Sequence, residues 1–161
     1  MTNCKSFIIP LIIFHKPNDK YIADLAYIPN VFNNNNNNYY YSINSKYKYI
    51  FTIVYHFSKF AYIYLLTNKK KETILKKLKI FFDFYENPLE LGTDNSRDFI
   101  NNAVKNFLFK NNIKLVNALP NNTNKQVEII HLKIRNMLLN IFLENINNFN
   151  IEAALIKVMN T

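Results

Sequence analysis

The run YKYIFTIVYHF, residues 47–57, constrains this chain more than any other stretch. It is rich in β-branched and aromatic residues and mostly apolar on both alternations. That is the pattern of a strand covered on both faces at the centre of a sheet. KFAYIYLLT (59–67) reads as a second strand, and the tight connection around Ser58 predicts a hairpin. Upstream, KYIADLAYIP (20–29) reads as a strand ended by Pro29. Between it and the hairpin lies a low-complexity run of asparagines, Asn33–Asn38, read as a loop insertion spanning 33–46.

Helical periodicity begins after residue 68. In KKKETILKKLKIFFDFYEN the apolar residues Ile74, Leu75, Leu78, Phe81, Phe82 and Tyr85 form one stripe, with lysines opposite and Pro88 as the stop. LELGT (89–93) is a short strand. SRDFINNAVKNFLFKNN predicts a second helix, with Ser96 as N-cap and Phe99, Ala103 and Phe107 on one face. IKLVNAL (113–119) is a further strand, and a long helix is expected from about Gln126 to Leu143. IEAALIKVM (151–159) predicts a last helix in the tail. The order β-β-β-α-β-α-β-α implies an α/β fold with an antiparallel start and a parallel remainder.

With 161 residues the chain is one domain, long enough to bury a real core, and 49% hydrophobic residues make it a folded one. The formal charge of +9 favours a polyanionic partner such as nucleic acid. Asn, Lys, Ile, Tyr and Phe all have AT-rich codons, so the asparagine content carries no functional weight and the lysine content less than its charge suggests. One cysteine, Cys4, excludes an intrachain disulfide and a cysteine zinc site, and implies a reducing compartment, nuclear or cytoplasmic. FIIPLIIF (7–14) is too short to span a membrane and is broken by Pro10. The His15-Lys16-Pro17 that follows reads against a signal peptide.

Three acidic residues fall at telling places: Asp24 inside the first strand, Asp94 at the end of the fourth, and Glu128 in the first turn of the long helix. Each also has a plain reading. Asp24 fits a solvated strand edge, Asp94 a turn cap beside Asn95, and Glu128 the positive end of a helix dipole. A carboxylate in mid-strand is costly if buried without a partner, which makes Asp24 the most informative.

The blocks carrying these residues resemble the catalytic core of retroviral and long-terminal-repeat retrotransposon integrases. DKYIADLAYIP is similar to the family's first-strand block, YKYIFTIVYHFSKFAYIYLL to its hairpin block, NPLELGTDNSRDFIN to its second-Asp block, and LPNNTNKQVEIIHLKIRNML to the block ending in Val-Glu. The resemblance implies a ribonuclease H-like mixed five-stranded sheet flanked by helices. It implies Asp24, Asp94 and Glu128 as catalytic residues and ligands of two Mg²⁺ or Mn²⁺ ions, DNA as substrate, and a homodimer or higher oligomer with no membrane association. Candidate DNA contacts are Asn95, Lys125, His131, Lys133 and Arg135; for His131 and Arg135 a solvated helix face is the alternative. It divides the chain into a linker remnant (1–16), the core-like domain (17–145) and a tail (146–161). Tyr55, Ser96, Lys125, Ile129 and His131 depart from the family pattern, which carries Asp, Gly, Gly, Arg and Asn there. A catalytically degenerate DNA-binding or protein-interaction descendant and a ribonuclease H-like nuclease are the competing functions.

Overall fold

The computed structural model describes residues 19–28, 31–33, 40–42, 46–94, 98–117, 124–145 and 149–159. Its main sheet has five strands: β1 (Lys20–Tyr27), β4 (Tyr49–Tyr55), β5 (Ala61–Leu66), β6 (Glu90–Thr93) and β7 (Lys114–Asn117). Their spatial order is β5-β4-β1-β6-β7. The three strands β5, β4 and β1 run antiparallel, and β6 and β7 then continue parallel to β1. The antiparallel start and parallel remainder are as expected, and β1 and β6 are parallel neighbours with the hairpin on the far side of β1. Two further strands, β2 (Val31–Asn33) and β3 (Tyr40–Ser42), pair across the asparagine run as a separate ribbon that the sequence did not signal.

Helices cover both faces. On one lie α1 (Lys71–Phe84) and α2 (Asn102–Lys110), which pack Ile74, Leu78, Phe81, Val104 and Leu108 onto Tyr21, Ala23, Phe51, Ile53 and Leu91. On the other lie α3 (Asn124–Glu144) and α4 (Ile151–Met159), whose Ile134, Leu138, Ile151, Ala154 and Leu155 close over Ile28 and Ile50. Val127 of α3 meets Ile22 and Val54 on the same side. The two apolar alternations of β4 thus feed two cores, which is why its sequence lacks a polar face. The expected tail helix joins the second core, and the Tyr47 hydroxyl donates to Glu152 to tie it to the start of β4.

Register is pinned at the sheet end where the parallel strands begin. Lys20, Glu90 and Lys114 are successive cross-strand partners, and Glu90 meets Lys114 at 3.4 Å and Lys20 at 3.8 Å. Such directly opposed charges favour this alignment over a slipped one. At the same end the β4–β5 turn places Lys59 at φ 63, a left-handed conformation that suits glycine better.

Several element limits differ from expectation. α1 ends at Phe84, where the Tyr85 N–H still bonds Phe81 O, and Pro88 lies beyond it, buried. α2 starts at Asn102 rather than near Ser96. Asn101 is the cap: its side-chain oxygen accepts from the Val104 N–H at 3.0 Å and its amide donates to Asp98 O at 2.9 Å. Phe99 is buried from the turn before the helix, and the buried helical stripe is Val104 and Leu108 rather than Ala103 and Phe107. One asparagine that binds the chain on both sides fixes the helix start more firmly than a serine placed earlier.

Candidate active site

Asp24 is held by β1 near the middle of the sheet. The β1–β6 register pairs Ala23 with Thr93, so Asp24 and Asp94 follow at the same level. Alternation then settles the face. Tyr21, Ala23 and Leu91 point to the α1/α2 side, so Ile22, Asp24 and Gly92 point to the α3 side, and Asp94 follows directly on the end of β6. Glu128 stands exposed in the first turn of α3, directly after buried Val127. One strand position, the residue that follows a second strand and one helix start therefore bring the three carboxylates toward one region.

The electrostatics of Asp24 register that convergence. Burial, then the nearby charges of Asp94 and Glu128, push its carboxyl up to about 6, while the Leu25 N–H, donating to its Oδ1 at 2.8 Å, opposes the rise. Among the described residues no three His, Cys, Asp or Glu side chains form a group able to hold a metal ion as they stand. The donor set nevertheless suits one: it is all carboxylate oxygen, the chemistry that hard divalent cations take. The repulsion that raises Asp24 is also what a cation between the carboxylates relieves. Asp83 and Asp98 lie apart; Asp83 is exposed on α1 and Asp98 pairs with Lys69 at 3.2 Å.

A fourth side chain reaches Asp24. His131, one turn along α3 from Val127, places Nε2 3.0 Å from Thr52 Oγ1 and Nδ1 3.6 Å from Asp24 Oδ2. Thr52 is fully buried and is the β4 register partner of Asp24. His131 is thus not on the outward face expected for a phosphate contact; its side chain is 10% exposed. Burial, and secondarily Arg135, lowers its pKa to about 4, so the ring is neutral at neutral pH and its contact with Asp24 is not an ion pair. Lys133 and Arg135 are exposed on the same helix. Asn95 and Ser96 lie outside the described residues, as does the side chain of Lys125. Tyr55 lies three register steps from Thr52, at the other end of β4, with its ring 5.2 Å from that of Tyr21.

A family model for the integrase core domain matches residues 15–123, more than half of the chain. The chain belongs to the integrase core domain family. The matched stretch holds Asp24 and Asp94 and stops five residues short of Glu128. Solved integrase cores share the ribonuclease H-like fold. The HTLV-2 integrase catalytic core domain in complex with magnesium is similar in its trimeric form at 21% identity and TM-score 0.65, over 89% of this chain and 83% of that one. Its dimeric form gives 19% and 0.67 over the same shares. The catalytic core of BIV integrase gives 16% and 0.63, over 86% of this chain and 78% of that one. No curated protein matches the chain. In this integrase core no helix among the described residues is long and apolar enough to cross a membrane.

Proposed function

We propose that this integrase core is a metal-dependent polynucleotidyl transferase that processes DNA 3′ ends and joins them to a target strand. The observation that carries the reading is the Asp24 carboxyl, raised to about 6 by burial and by the facing charges of Asp94 and Glu128. A carboxylate perturbed by burial and by specific neighbouring charges is a functional-site candidate. Asp24, Asp94 and Glu128 would hold Mg²⁺ or Mn²⁺, which would polarise the scissile phosphate and favour ionisation of the attacking hydroxyl. Asp24 and Asp94, fixed by the sheet, set where the phosphate docks. Glu128 closes the site from the start of α3. Lys133 and Arg135, exposed further along α3, offer cations to the DNA backbone; Lys125 would add a third cation and Asn95 a neutral amide. A homodimer or higher oligomer is proposed by likeness to the HTLV-2 core, which is solved in dimeric and trimeric forms.

Nicking and joining of end-labelled duplex DNA with Mg²⁺ or Mn²⁺ tests the proposal. The wild-type chain should act only with the metal, and Glu128→Gln should be inactive yet equally stable. Products cut but never joined would favour a ribonuclease H-like nuclease. Metal-independent DNA binding without turnover would favour the degenerate descendant. That second reading draws support from the exposed Glu128 and from the lack, among the described residues, of three side chains already grouped for a metal.

A further inference from the structure

The contact between α3 and the centre of the sheet goes beyond the three carboxylates. His131 reaches inward between two buried-strand side chains, Thr52 on β4 and Asp24 on β1, which are register partners on the same face. Its two ring nitrogens are divided between them: Nε2 lies 3.0 Å from Thr52 Oγ1 and Nδ1 3.6 Å from Asp24 Oδ2. The other carboxylate oxygen, Oδ1, already accepts the Leu25 N–H at 2.8 Å. We infer that His131 is a positioning residue for Asp24: the Thr52 hydroxyl donates to Nε2, which fixes the Nδ1–H tautomer, and Nδ1–H points at Oδ2 and sets the carboxylate rotamer. This rests on the proposed role of Asp24 and adds two residues to it.

The chemistry decides between the two tautomers. A neutral imidazole has one N–H and one lone pair. With the proton on Nε2, the bare Nδ1 would turn its lone pair toward an ionised Asp24 oxygen, a repulsive arrangement. With the proton on Nδ1, both contacts are donor to acceptor, since the Thr52 hydroxyl can rotate to donate. The 3.6 Å separation is beyond hydrogen-bond length, as catalytic contacts often are before ligands tighten the site. Each carboxylate oxygen keeps a lone pair free of these tethers. Partners that orient a ligand in this way are typically worth about 10–100-fold in metal affinity.

The test uses the whole metal-free chain with ¹⁵N-labelled histidine at about pH 8. The three histidine rings are resolved by NMR, and His131 is assigned from its absence in His131→Asn. The expected spectrum has His131 protonated on Nδ1 and bare on Nε2, with the preference lost in Thr52→Val. Mg²⁺ alone is then titrated: His131→Leu should weaken uptake by about 10–100-fold, while His131→Asn, whose amide still donates, should stay near wild type. An Nε2–H tautomer in the wild-type chain overturns the inference, as does unaltered Mg²⁺ uptake in His131→Leu. If the wild-type chain takes up no Mg²⁺, the proposed function fails, and the wild-type tautomer alone decides the positioning role.

Discussion

Asp24→Asn should make the metal-free protein more stable at neutral pH, and the size of the gain follows from the site. Burial and the neighbouring charges push the Asp24 carboxyl up to about 6 in the folded chain, against an ordinary 3.8. The folded state therefore holds this proton more tightly than the unfolded state. Its contribution to stability is full below about pH 3.8 and is lost as pH rises through about 6. A shift of roughly two units corresponds to about 3 kcal/mol. The side chain is 23% exposed, so solvent screening removes little of this. Asparagine keeps the shape and the acceptor for the Leu25 N–H but carries no charge. In EDTA at about pH 8 the variant should gain roughly 2–3 kcal/mol, or about 5–10 °C in Tm for a chain of this size. The gain should shrink to about 0.5 kcal/mol near pH 4. With Mg²⁺ present the order should reverse, because the cation stabilises only the chain with the full set of carboxylates. Urea or thermal unfolding at several pH values, with and without metal, measures all of this. A variant no more stable than wild type at pH 8, or a gain unchanged at pH 4, would refute the burial of an ionised Asp24 among like charges.

Other substitutions probe separate links. Phe81→Ala should cost about 3–5 kcal/mol in urea unfolding, because a fully buried ring packed 5.2 Å from Tyr21 and 4.9 Å from Tyr62 leaves a cavity. Asn101→Ala should cost about 1 kcal/mol, read in the same assay, by releasing the Val104 N–H and Asp98 O together. Lys133→Ala with Arg135→Ala should weaken DNA binding and flatten its salt dependence, lowering the slope of log affinity against log salt by about two. An unchanged slope would remove both residues from the interface.

The frame was legible because apolar patterning and strand geometry coincide. β4 shows no polar alternation and lies between two cores; the α1 stripe of Ile74, Leu78 and Phe81 is the buried one. What escaped was set by local competition or by long-range pairing. Ser96 and Asn101 are both cap-forming residues, and only the bonds of Asn101 to both flanks decide between them. The Lys20–Glu90–Lys114 ladder joins residues 70 and 24 positions apart, a pairing that appears only once the parallel register is known. Asp24, Asp94 and Glu128 were visible because a charge in an apolar strand, an acid at a strand end and an acid at a helix start are each conspicuous.

His131 and Thr52 were not, and the reason is instructive. Three residues after exposed Glu128, His131 lies near an outward-facing position of the helix. Read from the buried stripe it falls inward: it is four residues after Val127 and three before Ile134, both buried against the sheet. A helical residue sits beside its i−4 and i+3 neighbours alike, so the apolar stripe was the better reference. Thr52 reads as an ordinary strand former until its cross-strand partner is identified as Asp24. The pair also bears on why Asp24 is there at all. The core does not require a carboxylate at this position, since its neighbours on that face, Ile22 and Val54, pack against Val127 without one. The fold instead retains a charge that costs about 3 kcal/mol at neutral pH and sets a neutral imidazole against it. Stability alone selects against such a combination, and the proposed cation would offset its cost by favouring the charged carboxylate.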